Sequence, residues 1–588
     1  MKKKIGLLLL ALPLLLVACG SSNSGDITFT DLSRPSHGPS SSEETCDHDF
    51  VLESESNPSI IVKGEKKYVC SKCGEIKEED VSYDLNEFVF EDMVFMKDGN
   101  PHEVVIKGML PLETHVVYKD NSLTDIGEKE ATASIYDSND NLLTEKKAKI
   151  KIIANTGFPN IRVNTNGVDI PDKENYVEMA LSTDNCDDAY IKNNVAGGIR
   201  LRGNGTLTYD KKAYRIKFTG KTNLFGLNEG QKFKSWVLLA DYADQSMMRN
   251  LTALNIGNSL FNYSNNYCSE YKHVNLYLND NYNGVYLLAE QQQTNKGRLS
   301  IFEPAEDYTG NDIGYFLELD CEKYAKEEDY YFLVGNVNGN QIGDATIPQE
   351  YYTVKNDIYA DTQVTYIQNY MENVYNIFRR AIKDHIYYTL DENNQLIESD
   401  FDNAYDTLNA VIDLESLFKM YLLQELMKNI DVGYSSFYMY VDFSASSTHK
   451  RLTFGAPWDF DWSSGNVNRS PYQTSSGAYN STVFDNTHMN PWLYMLSKTD
   501  FFNEYIKDYY QVFCDSGILE NAINFVNYET SAFASEFANN YTKWGNLGQI
   551  TPAYTPNEAR NFRVHKDAVD HFINWINQRK KALDTLFK

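Results

Sequence analysis

The stretch that decides the fold reads DLESLFKMYLLQELMKNIDVGYSSFYMY over residues 413–440. After a polar gap it continues as RLTFGAPWDFDWSSG over residues 451–465. Apolar residues at helical spacing behind a capping Asp413 predict an amphipathic helix in the first part. The aromatic run 436–441 and the short apolar run 452–454 are predicted to form two strands of a hairpin.

Three aspartates stand where these predicted elements end. Asp431 lies at the exit of the helix, and Asp459 and Asp461 follow the second strand. A hairpin of this kind brings all three to one end of a small sheet. Convergent carboxylates suit a hard, oxygen-seeking cation such as Mg²⁺, which is commonly shared with substrate phosphates. The alternative is that each aspartate only caps a turn.

The motifs NIDVGYSSFYMY at 429–440 and PWDFDWSSG at 457–465 resemble the CotH family of secreted, atypical protein kinases. The resemblance extends over residues 156–588. It implies an atypical protein-kinase-like main domain. Strand-like runs up to about residue 335, followed by helical runs after residue 362, predict an α+β fold. The other matching motifs, in chain order, are LRGNGT at 201–206, KKAYRIKF at 211–218, WVLLADYADQSMMRN at 236–250, VNLYLNDNYNGVYLLAEQ at 274–291 and GYFLELD at 314–320.

The resemblance implies a site for ATP on the strand-forming run 211–218. Period-two alternation places Arg215 and Lys217 on one face of this strand. In protein kinases an internal-strand lysine contacts the nucleotide phosphates, so the resemblance favours Lys217, with Arg215 as the alternative. Arg202 opens a glycine-containing loop that suits phosphates, and Glu290 either pairs with the lysine or caps its strand. The competing interpretation is an edge strand with solvated basic residues.

The resemblance also implies roles for the aspartates. Asp459 and Asp461 are expected to bind Mg²⁺ or Mn²⁺, and Asp431 to orient the acceptor hydroxyl. Kinases carry a metal-binding asparagine five residues after the catalytic aspartate, and this chain has Ser436 there. Glu318 and Asp320, in the strand motif at 314–320, are expected to be structural.

Two functions therefore remain open. The first is an atypical kinase that transfers the γ-phosphoryl group of ATP to serine or threonine hydroxyls of proteins. The second is a catalytically weak or inactive CotH-like surface protein that serves adhesion or the assembly of an envelope or spore coat.

Residues 1–19 are predicted to be a lipoprotein signal peptide. Lysines precede a short apolar run, and LVACG at 16–20 resembles a lipobox in which Cys19 becomes lipidated. The alternative is an ordinary secretory signal. Residues 20–45, rich in serine, glycine and proline, are predicted to form a flexible linker. These features predict an extracytoplasmic protein that is lipid-anchored to the bacterial cell membrane.

Residues 46–80 are predicted to form a zinc-ribbon-like segment. The spacing Cys70-x-x-Cys73 is typical of a structural zinc site, and Cys46 and His48 complete a tetrahedral set. The alternative is a disulfide between two of these cysteines. The remaining cysteines are interpreted as buried thiols: Cys186, Cys268, Cys321 and Cys514.

Residues 82–153 alternate apolar and polar residues over short runs, which favours a small β-sandwich. The runs FMKDGNPHEVVIKGMLP at 95–111 and VVYKDNSLTDIGEKEATA at 116–133 resemble small bacterial Ig-like modules. The whole chain has 588 residues and a net charge of −28. Because nucleic acids attract basic surfaces, this charge argues against a nucleic-acid partner. The expected partner is a secreted or surface protein.

Overall fold

The computed structural model divides the chain into two compact units. The first comprises Met1–Val51 and Tyr68–Lys77, and the second comprises Leu52–Lys67 and Glu78–Lys588. The predicted signal peptide, its lipidated Cys19 and the linker lie outside the described residues. The structure describes residues 46–56, 58–261, 266–335, 341–342, 345–347, 349–468, 474–477, 489–550 and 555–588.

The N-terminal strands are short and largely exposed. They form a three-stranded sheet in the order β1-β2-β3, and the three strands are β1 (Phe50–Ser56), β2 (Gly64–Cys70) and β3 (Ile76–Val81). The turn between β2 and β3 contains Gly74, whose φ of 76° is in the left-handed region that glycine favours. This segment carries a Cys/His cluster that is compatible with the predicted zinc ribbon.

Two small sheets follow. One has four strands in the order β4-β9-β8-β6, and the other pairs β5 with β7. Their strands are β4 (Met93–Met96), β5 (His102–Glu103), β6 (Thr114–Lys119), β7 (Ser122–Leu123), β8 (Gly127–Asp137) and β9 (Leu142–Ile153). Alternate residues of β8, such as Ala131, Ala133 and Ile135, are fully buried. The identification of residues 82–153 as an Ig-like module stays a prediction.

A closed seven-stranded barrel forms the N-terminal part of the main domain. Its order is β10-β11-β12-β13-β14-β16-β15, and its strands are β10 (Asn160–Asn164), β11 (Val177–Asp184), β12 (Lys192–Arg202), β13 (Ala213–Thr222), β14 (Phe233–Leu239), β15 (Tyr271–Leu278) and β16 (Asn281–Glu290). The inward face of β13 carries Tyr214, Ile216 and Phe218 into the barrel core. Since β13 pairs with a strand on each side, the edge-strand alternative is wrong.

A five-stranded sheet in the order β18-β21-β17-β24-β25 forms the second layer. The strands after the barrel are β17 (Gly314–Asp320), β18 (Tyr331–Val334), β19 (Gln341–Ile342), β20 (Ala345–Thr346), β21 (Glu350–Val354), β22 (Tyr388–Leu390), β23 (Leu396–Glu398), β24 (Phe437–Asp442) and β25 (Thr453–Phe454). Strands β24 and β25 are the predicted hairpin, with each boundary within one residue of the prediction.

Helices dominate the C-terminal half. Those of the described chain are α1 (Arg249–Phe261), α2 (Glu322–Ala325), α3 (Asp361–Lys383), α4 (Ala404–Val411), α5 (Leu414–Met427), α6 (Pro491–Leu496), α7 (Phe502–Asp515), α8 (Ile518–Ala532), α9 (Ala534–Trp544) and α10 (His565–Phe587). Strands thus precede most helices, which confirms the predicted α+β class. Among the described residues, no helix combines the length and apolarity that crossing a bilayer requires.

Apolar residues between positions 247 and 256 predict a helix over residues 244–260, but α1 begins later. The carboxylate of Asp244 accepts hydrogen bonds from the backbone amides of Ser246 and Arg249, both at 2.9 Å. This capping loop delays the first helical residue to Arg249. The scattered cysteines also differ in part from the prediction, because Cys268 is buried whereas three are only partly buried: Cys186, Cys321 and Cys514.

Candidate active site

The two loops that carry the predicted catalytic and metal-binding aspartates are joined by one amide side chain. Helix α5 ends where Lys428 adopts a left-handed conformation with φ of 50°, and Asn429 follows. The Asn429 Nδ2 donates to the backbone oxygen of Asp459 at 3.0 Å, and its Oδ1 accepts from the backbone amide of Asp431 at 3.2 Å. The structure therefore brings the exit of α5 and the Trp-Asp-Phe-Asp turn together.

Helix α1 supports the Trp-Asp-Phe-Asp turn. The backbone amide of Phe460 donates to Asn250 Oδ1 at 2.7 Å, and Asn250 Nδ2 donates to Asp241 Oδ1 at 2.7 Å. On the other side of the turn, Asn466 Nδ2 donates to the backbone oxygen of Asp461, also at 2.7 Å. Hydrogen bonds from two sides thus hold the backbone of the turn that carries Asp459 and Asp461.

Ser436 connects the five-stranded sheet to Asp459. Its hydroxyl donates to Asp459 Oδ2 at 3.2 Å, and its backbone amide donates to Glu318 Oε1 at 2.9 Å. The second carboxylate oxygen of Glu318 lies 2.9 Å from Lys355 Nζ. Ser436 and Asp459 have φ values of 60° and 66°, which are costly for residues with a side chain. Glu318 therefore holds the backbone of Ser436 in place, and the interpretation of Glu318 as a purely structural residue stays a prediction.

Burial and mutual repulsion shape the titration of the carboxylates. Burial, together with the charge of Asp459, raises the pKa of Asp431 to about 7. Burial, Asp459 and Asp241 hold the pKa of Asp461 well above its usual range. Burial likewise raises the pKa of Asp320 to about 8, with a further contribution from neighbouring acidic charge. A bound divalent cation relieves repulsion of this kind.

The chemistry of the aspartates fits a cation with an open coordination sphere. In the part of the chain that the structure describes, the Cys/His cluster is the only group of three or more metal-binding side chains close enough to hold an ion by themselves. A cation held by one or two of the aspartates would keep positions for phosphate oxygens, which is how Mg²⁺ is commonly held. The all-oxygen donors fit Mg²⁺ or Mn²⁺.

A basic patch lies on the outer face of β12 and β13. Arg200 and Arg215 are direct cross-strand neighbours, and the guanidinium of Arg202 lies 5.6 Å from the ring centroid of Trp458. Within the described chain, the Nε atoms of Arg200 and Arg215 are buried without a hydrogen-bond partner. Burial and neighbouring arginines lower the pKa of Arg215. Unsatisfied donors on Arg200 and Arg215, on the same face as Arg202, suit an anionic ligand.

The two other predicted nucleotide-binding residues lie in different environments. Lys217 is on the same face of β13 as Arg215, but its side chain is exposed. Glu290 is fully buried at the end of β16 and accepts a hydrogen bond from Arg298 Nε at 2.9 Å. Arg298 is therefore the basic partner of Glu290, and the sequence alternative that pairs Glu290 with the lysine of β13 is wrong.

Sequence reasoning missed the residues that hold the site in place. Asn250 and Asp241 lie within the motif 236–250. Each is a polar residue in a largely apolar run, and this feature of the sequence could have identified both. Asn429 and Arg298 carry no such signal, because their partners are distant in sequence. Arg200 was detectable only once β12 and β13 were aligned.

Comparison with protein families agrees with this architecture. The model of the CotH family, described as CotH kinase protein, matches residues 199–583, which is more than half of the chain. The match includes the arginines of β12 and β13 and all three aspartates. No curated protein gives a significant match. The chain belongs to the CotH kinase family, and its main domain is kinase-like.

Proposed function

We propose that the protein is an extracytoplasmic, lipid-anchored atypical kinase. It transfers the γ-phosphoryl group of ATP to serine or threonine hydroxyls of a secreted or surface protein. One observation carries the proposal: acidic and basic groups border the same Trp458–Asp461 turn, with Arg202 against Trp458 and Ser436 against Asp459. Phosphoryl transfer needs acidic side chains to bind the metal and basic side chains to bind the phosphates.

The arginines bind and orient the nucleotide. Arg202 and Arg215 donate hydrogen bonds to phosphate oxygens, and Arg215 offers a buried Nε for this. Lys217, which is exposed on the same face of β13 as Arg215, adds a positive charge at the solvent-exposed side of this site. Arginine suits this role because its fork of donors matches the geometry of phosphate oxygens. Glu290 acts indirectly, by fixing Arg298 at the end of the barrel.

The aspartates divide the remaining work. Asp459 and Asp461 hold Mg²⁺ or Mn²⁺, which neutralises charge on the phosphates when it is bound. Asp431 accepts a hydrogen bond from the acceptor hydroxyl and takes its proton. With its pKa raised to about 7, Asp431 is a stronger base than an ordinary carboxylate.

The location of the protein is part of the proposal. The apolar run before Cys19 supports export and lipid attachment. Growth with an azide- or alkyne-tagged fatty acid should label the wild-type chain and leave a Cys19→Ala variant unlabelled. The net charge of −28 supports a protein partner over a nucleic acid.

The central experiment is phosphate incorporation by the purified chain. With γ-labelled ATP and Mg²⁺ or Mn²⁺, the wild-type protein should label itself or a mixed surface-protein extract on serine and threonine. An Asp459→Asn variant should transfer no phosphate, and a melting temperature equal to that of the wild type would show that this variant is folded. If the wild-type chain neither transfers phosphate nor binds nucleotide with any of these metals, the kinase proposal is wrong.

A second candidate function is that of a catalytically weak surface protein for adhesion or for envelope or spore-coat assembly. The observation that favours it is Ser436, which stands at the position of a kinase metal ligand and donates to Asp459 instead. ATP binding without phosphate transfer would support this candidate over the kinase.

A further inference from the structure

Four metal-binding side chains converge in the N-terminal unit. Cys46, His48, Cys70 and Cys73 each present one ligand atom, and these atoms all lie within 4.8 Å of one another. The Sγ atoms of Cys46 and Cys70 are 3.9 Å apart. The Sγ of Cys73 and the Nδ1 of His48 are 3.4 Å apart.

These separations match the edges of a tetrahedron around zinc. With Zn–S near 2.3 Å and Zn–N near 2.0–2.1 Å, tetrahedral geometry gives S···S edges of about 3.8 Å and S···N edges of about 3.6 Å. We propose that Cys46, Cys70, Cys73 and the Nδ1 atom of His48 bind one structural zinc ion. Four protein ligands close the coordination sphere, so the site stabilises the fold and leaves no position for catalysis.

The choice of Nδ1 follows from the other ring nitrogen of His48. Its Nε2 lies 3.2 Å from Glu75 Oε2. A carboxylate in this position fixes the Nε2–H tautomer and leaves the Nδ1 lone pair free for the metal. The His48 ring also stacks on Phe50, with the ring centroids 5.3 Å apart. Glu75 is therefore the residue that orients the histidine ligand.

The backbone holds the thiols in this arrangement. Gly74 N donates to the Cys70 carbonyl at 2.9 Å, and Cys70 N donates to the Glu75 carbonyl at 2.8 Å, which closes a tight turn around the Cys-x-x-Cys spacing. Ser71 N donates to the Asp49 carbonyl at 2.8 Å. This hydrogen bond connects the turn to the residues just before β1, which include His48.

The geometry favours zinc over the disulfide alternative. A disulfide has an S–S length of about 2.05 Å, whereas the Sγ atoms of Cys46 and Cys70 are 3.9 Å apart. A disulfide would use only two of the three cysteines and would leave the third thiol and His48 without a bond of comparable strength. A zinc ion binds all three thiolates and the imidazole together.

X-ray absorption on the purified full-length chain tests the ligand set. We expect about one zinc per chain by elemental analysis and a first shell of three sulfurs and one nitrogen. A disulfide among Cys46, Cys70 and Cys73 in mass mapping would overturn the proposal. So would a chain that takes up no zinc after reduction and incubation with zinc salt.

Matched variants test the individual residues. Cys70→Ser and His48→Ala should lose zinc, and Cys186→Ser, outside the cluster, should retain it. Glu75→Gln should weaken zinc binding by about 10- to 100-fold in a chelator competition, the usual effect of losing a carboxylate behind a histidine ligand. Glu78→Gln, which changes an exposed carboxylate on β3, is the control. If Glu75→Gln and Glu78→Gln bind zinc equally, Glu75 does not orient His48.

Discussion

The Ser436 hydroxyl donates a hydrogen bond to Oδ2 of Asp459 over 3.2 Å. Both residues adopt left-handed backbone conformations, and the Ser436 amide is itself held by Glu318 at 2.9 Å. Under the proposed function, Ser436 therefore orients a carboxylate that would hold the cation and does not itself bind the cation.

Replacing Ser436 by alanine should raise the metal concentration needed for half-maximal phosphoryl transfer. A hydrogen bond to a charged group contributes about 1.5–3 kcal/mol, which corresponds to roughly 10- to 100-fold. Because Asp459 is only partly buried, we expect the lower end, about 10-fold. Initial rates over a Mg²⁺ titration at saturating ATP give the value.

Ser435→Ala is the matched control for Ser436→Ala, since it removes the neighbouring hydroxyl, whose described partner is Ser436. It should leave the metal dependence unchanged. Equal metal dependence in Ser436→Ala and the wild type would show that the hydroxyl does not position Asp459.

Asparagine variants should separate the roles of Asp431 and Asp459. Asp459→Asn removes a charge from a proposed metal ligand, so both metal-dependent ATP binding and phosphoryl transfer should fall. Asp431→Asn should leave ATP affinity nearly intact and reduce transfer by about 100-fold or more, the range for losing general-base assistance. Calorimetry and single-turnover rates measure the two effects.

Both variants are nearly isosteric, and thermal melting checks that they fold. If Asp431→Asn transfers phosphate at the wild-type rate, Asp431 is not the base. If Asp459→Asn binds ATP with unchanged metal dependence, the cation lies elsewhere.

The basic residues of β12 and β13 should contribute unequally to ATP binding. Arg202→Ala removes a guanidinium that packs against Trp458, and we expect ATP affinity to fall about 10-fold, the effect of losing one charge-assisted hydrogen bond. Lys217→Ala should also weaken binding, but less, because an exposed charge is screened by solvent. Lys221→Ala, further along β13, is the control. A larger loss in Lys217→Ala than in Arg202→Ala would reverse this ranking.

Local patterns in the sequence were sufficient for most of the architecture. Asp413 caps α5, with its side chain accepting from Ser416 N, and the hairpin of β24 and β25 forms as predicted. Both depend on residues close in sequence. The pairing of Glu290 with Arg298 and the bond from Asn250 to the Trp-Asp-Phe-Asp turn depend on how distant elements pack. Periodicity carries no information about such packing.

The buried ion pair between Arg579 and Glu425 should be essential for stability. Arg579 Nη2 lies 2.6 Å from Glu425 Oε1, and both side chains are fully buried between α10 and α5. Removing one partner leaves a buried charge, so Arg579→Met should lower the free energy of unfolding by about 3–5 kcal/mol. Urea denaturation measures the loss. Lys581→Met, exposed on the same helix, should change stability by no more than about 0.5 kcal/mol.

A buried histidine should make the protein less stable as the pH falls below neutrality. His565, at the start of α10, donates from Nε2 to the backbone oxygen of Ser246 at 2.6 Å and stacks on Phe537. Burial lowers the pKa of His565 to about 4, although the Ser246 carbonyl opposes this shift.

In the unfolded chain the histidine pKa is about 6.5, so as the pH falls His565 is protonated in the unfolded chain before it is protonated in the folded chain. Neutral His565 therefore contributes fully to the free energy of unfolding above pH 6.5. This contribution, about 3 kcal/mol in total, is lost between pH 6.5 and pH 4. Urea denaturation at pH 7, 5.5 and 4.5 should show a smaller decline in His565→Gln than in the wild type. His115→Gln, which changes an exposed side chain, should follow the wild type. Parallel declines in the wild type and His565→Gln would show that another group causes the acid sensitivity.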